Sequence, residues 1–201
     1  IHALSRTRYD GCVTPPLVRA LVVGILGIAI FARTWQITTM PGGLFPDQAA
    51  NGLDALSILE GDLRPFYERN SGREALFLYL QAGVLSVTGV GVWPLFLTSA
   101  LVGIATVVVT YAAATRLFGR TAALFSLVFL ATNPWHVTVS RTGFRAILVP
   151  LFVALTLFFA VGVARAPTVS RRLLHALGAG ISFGLGWYTY IGYRAFLGAL
   201  V

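Results

Sequence analysis

Long stretches without a charged side chain are the feature that most constrains this sequence. Runs that lack Asp, Glu, Arg and Lys occupy residues 20–32, 34–46, 75–115, 121–140, 146–164 and 173–193. A helix needs about 20 predominantly apolar residues to cross a bilayer. Only 11% of the 201 residues are charged, and the mean hydropathy is +0.80. A soluble domain could not bury so much apolar surface, so the sequence indicates an integral membrane protein.

The apolar runs predict six helical segments and the start of a seventh, cut off near Val201. We expect them at about 17–36, 75–88, 94–117, 121–138, 146–164 and 173–190. Arg33 interrupts the first segment, but an arginine near a helix end can extend to the interface. Gly89, Gly91 and Pro94 divide the long run. The predicted fold class is all-α, a polytopic transmembrane helical bundle, with residues 1–201 as the N-terminal part of a single transmembrane domain.

The arginines predict the orientation of the first segment. Arg6, Arg8 and Arg19 precede it and only Arg33 lies at its far end, so the N-terminus is expected in the cytoplasm and the loop 37–74 outside. The later arginine-rich turns fall on the cytoplasmic side only if 75–88 fails to cross, and the sequence leaves this open. A signal peptide is disfavoured because no small-residue cleavage site precedes Met40 and further apolar segments follow.

Charge and cysteine content exclude other classes. All 15 basic residues are Arg, against seven acids, which gives a net charge of +8. They lie singly or in pairs between apolar runs, which is typical of membrane flanks rather than of a nucleic-acid surface. Cys12 is the only cysteine, so neither an internal disulfide nor a multi-cysteine metal site is possible.

Acidic residues concentrate in the expected outer loop, which holds six of the seven: Asp47, Asp54, Glu60, Asp62, Glu68 and Glu74. Within the loop, the spacing of Ala49, Leu53, Leu56 and Leu59 predicts an amphipathic helix over 48–60 that stops at Gly61. This helix is too short to cross, so we expect it in the membrane interface.

Asp47 stands at the start of that helix and has two interpretations. As an N-cap, its carboxylate would accept N–H bonds from the first turn, and the spacing alone favours this. As a general base, it would point into a cavity and accept a proton from a substrate. The two interpretations are compatible.

Two groups of arginines are candidates for binding an anion. Arg73 and Glu74 precede an apolar run, and a guanidinium at headgroup depth suits a phosphate. Arg141 and Arg145 are four residues apart, so they would share a face if that stretch is helical. Simple membrane flanking explains the second pair equally well. His136, nearby, is more typical of a structural residue than of a catalytic one.

Several short motifs together resemble glycosyltransferase family 39 of the GT-C superfamily, which includes the protein O-mannosyltransferases and bacterial aminoarabinose transferases. They are Pro41-Gly42-Gly43-Leu44-Phe45-Pro46-Asp47, Gly72-Arg73-Glu74, Arg116-Leu117-Phe118-Gly119-Arg120, Asn133-Pro134-Trp135-His136 with Ser140-Arg141, and Gly186-Trp187-Tyr188-Thr189-Tyr190-Ile191. Their order and spacing, from about residue 17 to the end of the chain, carry the resemblance.

The resemblance implies a GT-C type bundle that transfers a sugar, with inversion, from a polyprenyl-phosphate carrier to a protein, lipid or glycan acceptor. The reaction would take place at the outer face of a plasma membrane of bacterial type, without metal or other cofactor. Asp47 matches the first acid of the family's Asp-Glu pair, which acts as base or orients the acceptor. Gln48 departs from the second acid, so the base role rests on Asp47 alone.

The residues expected around the lipid phosphate or the acceptor are Arg73, Glu74, Arg141 and Arg145. The alternative function is a transporter or flippase of lipid-linked sugar or small solute. It would favour ionisable residues at span centres and inverted repeats, and neither is evident in the sequence. A non-catalytic membrane scaffold is a third interpretation.

Overall fold

The computed structural model describes residues 15–40, 42–69 and 72–198. Its α-helices are α1 Pro15–Thr34, α2 Pro46–Leu59, α3 Leu76–Thr88, α4 Val92–Phe118, α5 Arg120–Thr132, α6 Pro134–Arg141, α7 Leu148–Arg165, α8 Val169–Gly186 and α9 Ala195–Gly198. Two 3₁₀ turns cover Arg145–Ile147 and Ile191–Arg194, and strands β1 Phe66–Tyr67 and β2 Arg73–Glu74 pair antiparallel. The predicted all-α membrane helical bundle is confirmed. Arg6, Arg8, Cys12 and Pro41 lie outside the described residues, as do the last three residues of the expected seventh segment.

Three stretches of the described chain are long and apolar enough to cross a membrane as single helices. They are Pro16–Thr34, Val92–Phe118 and Arg145–Arg165, the last including the 3₁₀ turn before α7. Helix α3 is apolar but has only 13 residues. Helix α8 begins four residues before the expected segment 173–190, because the exposed side chains of Arg171 and Arg172 are accommodated in its first turns.

The segment expected as one helix over 121–138 is two helices that meet at 54°. Pro134 has no N–H to donate to the carbonyl of Leu130, so α5 stops at Thr132. A new helix starts because the Asn133 Oδ1 atom accepts the N–H of His136 at 3.0 Å.

Arg33 fills this break. Its guanidinium donates to the carbonyl oxygens of Leu130 at 2.9 Å and Ala131 at 3.1 Å, and its Nη2 atom lies 2.8 Å from His136 Nδ1. The Arg33 side chain is fully buried. The expectation that Arg33 extends to the interface is therefore wrong, because the carbonyls left without helical partners at the break bind its guanidinium inside the bundle.

Helix α4 is the central helix of the bundle, and its 27 residues span about 40 Å. The first half of α4 packs antiparallel against α3: Leu85 shares a hydrophobic cluster with Leu95, and Phe77 shares another with Val102. Helix α4 also packs against α7, α5, α6 and α1. Helix α3 therefore runs alongside only the first part of α4.

Helix α2 turns its polar side inward. It begins two residues before the expected 48–60 and ends at Leu59. Asn51 and Asp54 are buried, whereas Leu53 and Leu59 of the predicted apolar face are 51% and 45% exposed. Leucine side chains therefore lie on the exposed side of α2, whereas its buried side combines polar groups with apolar ones.

Candidate functional site

A polar pocket of about 270 Å³ lies where α2, β2, the 3₁₀ turn before α7 and the segment after α8 meet. Its lining residues are Asp47, Asn51, Arg73, Phe144, Arg145 and Tyr190. The fold thus brings together Asp47, Arg73 and Arg145, which are separated by up to 98 positions in the sequence. An acid and two guanidinium groups share one cavity with two aromatic rings.

Asp47 lies in the first turn of α2, as its second helical residue. The N-cap is Phe45, and Pro46 is the first helical residue, a position that proline favours because its missing N–H has no helical partner there. The N-cap interpretation of Asp47 is therefore wrong. The helix N-terminus still favours a negative charge at Asp47 through the helix dipole.

Gln48 contributes to the start of the same helix. Its Oε1 atom accepts the N–H of Phe45 at 3.0 Å, and its side chain is 4% exposed. This is the backward bond of a capping box, which either Glu or Gln can make. The neutral residue at this position therefore retains a defined structural role while leaving Asp47 as the acid of the pair.

Arg73 is the most buried cation of the pocket, with 1% of its surface exposed. Its Nη1 atom donates to Asn51 Oδ1 at 2.6 Å and lies 3.6 Å from Asp54 Oδ2. Burial lowers the pKa of Arg73, and the carboxylate of Asp54 opposes this shift. Its Nη2 atom is buried and has no hydrogen-bond partner among the described residues. An anionic group in the pocket would satisfy this donor.

Asn51 and Asp54 hold Arg73 in place, and the sequence analysis did not single them out for this role. Asn51 Nδ2 also contacts the carbonyl oxygen of Gly143 at 3.5 Å, and Asp54 Oδ1 accepts from Arg69 Nε at 2.8 Å. Asp47, Asn51 and Asp54 stand at i, i+4 and i+7, which places them on one helix face. That polar periodicity is the signal that could have identified them.

Arg145 approaches the pocket from the other side. Its Nε atom lies 3.7 Å from Glu74 Oε2, and its guanidinium carbon lies 5.3 Å from the centre of the Tyr190 ring. The Phe144 ring meets Tyr190 edge-on at 5.7 Å. Glu74 therefore contacts Arg145 but does not itself line the pocket. Phe144 and Tyr190 were not predicted as site residues, although Tyr190 belonged to an aromatic segment noted in the sequence.

Arg141 lies elsewhere. It donates to the carbonyl oxygens of Ala32 at 2.8 Å, Trp35 at 2.6 Å and Met40 at 3.1 Å, at the end of α1 and in the turn that follows. Helix α6 ends at Arg141, and Gly143 with φ +65° turns the chain before Arg145. The helical condition for a shared face of Arg141 and Arg145 is therefore not met.

A second cavity of about 350 Å³ adjoins the first. Its lining residues are Phe45, Pro46, Asp47, Gln48, Thr142 and Phe144. Asp47 and Phe144 belong to both cavities. Asp47 thus stands between a cationic compartment and a compartment that is less charged.

Side chains that could ligate a metal lie apart from one another in the part of the chain that the structure describes. No three His, Cys, Asp or Glu side chains there come together in a group that could hold a metal ion. The described site is built from guanidinium, amide and carboxylate groups with aromatic walls.

Fold and site together define a helical membrane protein with a charged pocket at one end of its bundle. The family model of the dolichyl-phosphate-mannose-protein mannosyltransferases matches residues 75–199, more than half of the chain. The chain belongs to this family and is a membrane glycosyltransferase. No curated protein shows a significant match to the chain. The matched region includes Arg145 and Tyr190, whereas Asp47 and Arg73 precede it.

Proposed function

We propose that this protein transfers a sugar from a polyprenyl-phosphate carrier to a hydroxyl or phosphate acceptor at the outer face of the membrane. The single observation that carries the proposal is the shared pocket of Asp47, Arg73 and Arg145. Family membership supports a lipid-linked sugar donor. The pocket supplies the two kinds of group that such a reaction needs, namely cations for a phosphate and a carboxylate for a proton.

The carrier phosphate is the leaving group of the proposed reaction. Arg73 has a buried donor atom without a partner among the described residues, and Arg145 lines the same cavity. As the bond between the sugar C1 and the phosphate oxygen breaks, the electron pair goes to the phosphate. Guanidinium groups held by Asn51 and Glu74 would stabilise that charge without rearranging.

Asp47 is the proposed base. The acceptor hydroxyl would enter from the adjoining cavity, give its proton to the Asp47 carboxylate and form the new bond at C1 from the face opposite the phosphate. One displacement of this kind inverts the anomeric configuration. The position of Asp47 between two cavities supports this assignment, since the acceptor oxygen and the carrier phosphate must lie on opposite faces of the sugar C1.

The placement in the membrane is part of the proposal. We infer that α2 lies in the outer interface, with Leu53 and Leu59 in contact with lipid, and that α3 does not cross. Two observations support this: the exposed leucines of α2 and the packing of α3 against only the first half of α4. If α3 does not cross the membrane, the arginine-rich turns at 116–120 and 165–172 lie on the cytoplasmic side, as the positive-inside rule requires.

A transporter would use the break between α5 and α6, because broken helices expose carbonyls that can bind ions. Two of the carbonyls at this break accept hydrogen bonds from Arg33. The side chain of Arg33 thus already binds these carbonyls within the protein. We therefore retain the transferase as the proposed function.

The test uses the full-length protein that contains this chain, reconstituted in vesicles with a polyprenyl-phosphate mannose donor. We expect release of polyprenyl phosphate that depends on an added acceptor, with the opposite anomer in the product by NMR. Movement of intact donor across the vesicle membrane without bond cleavage would instead favour the transporter. Retention of the anomeric configuration would contradict a single displacement.

A further inference from the structure

We propose a second anion site, for a phosphate group, at the end of the bundle opposite the Asp47 pocket. It is a cavity of about 220 Å³ whose polar lining residues are Arg116, Arg165, Arg171 and His175. Its remaining walls are Gly162, Ala166 and Pro167. This site is independent of the proposed transfer reaction.

The α7–α8 pair separates the two sites. Each helix has 18 residues, a length of about 27 Å. Arg145 precedes α7 and Tyr190 follows α8, so the Asp47 pocket lies at one end of this pair. Arg165 ends α7 and Arg171 lies in the first turn of α8, so the second cavity lies at the other end.

Packing fixes two of the polar side chains that line the cavity. The Arg116 guanidinium carbon lies 3.6 Å from the centre of the Phe158 ring, and its Nη1 atom donates to the Phe158 carbonyl at 3.3 Å. The His175 ring lies against Gly162, where an added Cβ would be 2.6 Å from the ring. Both groups are half-buried and belong to different helices. The cavity is therefore formed by tertiary packing and not by chance proximity of surface chains.

No acidic residue compensates this charge in the surrounding sequence. Neither Asp nor Glu occurs after Glu74, whereas eight arginines do. The ion pairs found among the described residues all involve Asp54, Asp62 or Glu74, at the other end of the molecule. Among the described residues the three arginines of the cavity have no acidic partner, so they repel one another, and a bound anion would remove this cost.

Phosphate is the anion that fits. Guanidinium groups bind phosphate oxygens through paired, charge-assisted hydrogen bonds. The N-terminus of α8 adds a favourable dipole, and its Thr168 hydroxyl already accepts the N–H of Arg171 at 3.4 Å. Arg116 and Arg165 occupy the last turns of helices long enough to cross the membrane, which is headgroup depth. An anionic phospholipid headgroup and a soluble phosphate ester share this chemistry.

The test compares two double variants of the full-length protein. R165Q/R171Q removes two charges from the cavity, and R120Q/R172Q removes two exposed charges from the same end that do not line it. One arm uses phosphatidylcholine nanodiscs that also contain phosphatidylglycerol. Native mass spectrometry counts the phosphatidylglycerol molecules that stay bound to the protein. The other arm titrates inorganic phosphate into protein in phosphatidylcholine nanodiscs by calorimetry. Thermal unfolding of each variant verifies the fold.

We expect R165Q/R171Q to weaken binding about tenfold or more in one arm, with less than about twofold loss in R120Q/R172Q. Loss in the mass-spectrometry arm identifies a lipid headgroup, and loss in the calorimetric arm identifies a soluble phosphate; either result supports the site. Equal losses in both variants would mean that the arginines attract anions only through their total charge, and would overturn the proposal. Binding unaffected by R165Q/R171Q, or undetectable in wild type, would overturn it as well.

Discussion

Asn51 Oδ1 accepts a hydrogen bond from Arg73 Nη1 at 2.6 Å, and both side chains are almost fully buried. A buried guanidinium is costly unless its donors are satisfied. The amide of Asn51 also reaches the carbonyl of Gly143, so one neutral side chain connects α2, β2 and the turn before Arg145. The position of the cations in the pocket therefore depends on a residue that carries no charge.

Replacing Asp47 with Asn should lower sugar transfer by about 10²–10⁴-fold, because an amide cannot take the acceptor proton. The measurement is the initial rate of acceptor-dependent release of polyprenyl phosphate. Asp62→Asn is the matched control, since Asp62 pairs with Arg64 at an exposed position. Comparable rates for wild type and Asp47→Asn would refute the base assignment.

Replacing Arg145 with Gln should raise KM for the lipid-linked donor and lower kcat, because one of two pocket cations is lost. A charge-assisted hydrogen bond contributes about 1.5–3 kcal/mol, so kcat/KM should fall by about 10–150-fold. Arg64→Gln removes the same charge from an exposed site and should have little effect. An unchanged KM and kcat for Arg145→Gln would exclude Arg145 from phosphate binding.

Replacing Asn51 with Ala should destabilise the protein by about 1–3 kcal/mol, because the buried Nη1 donor of Arg73 loses its partner. Activity should also fall, since Arg73 is no longer held. Chemical denaturation followed by fluorescence and the transfer assay measure both effects. Ser57→Ala, on the same helix but with its hydroxyl bonded within the helix, serves as control. If both variants behave alike, Asn51 does not position Arg73.

Replacing Gly103 with Ala should destabilise the bundle by about 1–3 kcal/mol through overpacking. A Cβ there would lie 2.7 Å from the Ser140 Cβ atom, where α6 crosses α4. Gly27→Ala in α1, with open space around the new methyl group, should be neutral or slightly stabilising. The difference between the unfolding midpoints of the two variants in detergent tests this packing. A Gly103→Ala variant as stable as Gly27→Ala would show that the helices do not approach so closely.

Apolar runs predict helices well where lipid contact makes nearly every residue apolar, as in α1, α4 and α7. The break at Asn133-Pro134 was visible in the sequence, but a continuous apolar run outweighed it. Asp47 and Arg73 could be named from motifs, and Arg145 from its spacing to Arg141, although the structure does not place those two arginines on one helix face. Asn51 could not, because its role depends on Gly143, which lies 92 positions away and becomes a neighbour only through folding.

Helix α2 carries the catalytic acid of the proposed reaction on one side and exposed leucines on the other. The helix is rigid over its 14 residues, about 21 Å, so the two sides cannot move independently. With α2 in the interface as proposed, lipid contact of Leu53 and Leu59 would set the depth of Asp47 relative to the lipid phosphates. Contact of these leucines with lipid would then fix the depth at which the carboxylate meets the bond it helps to form.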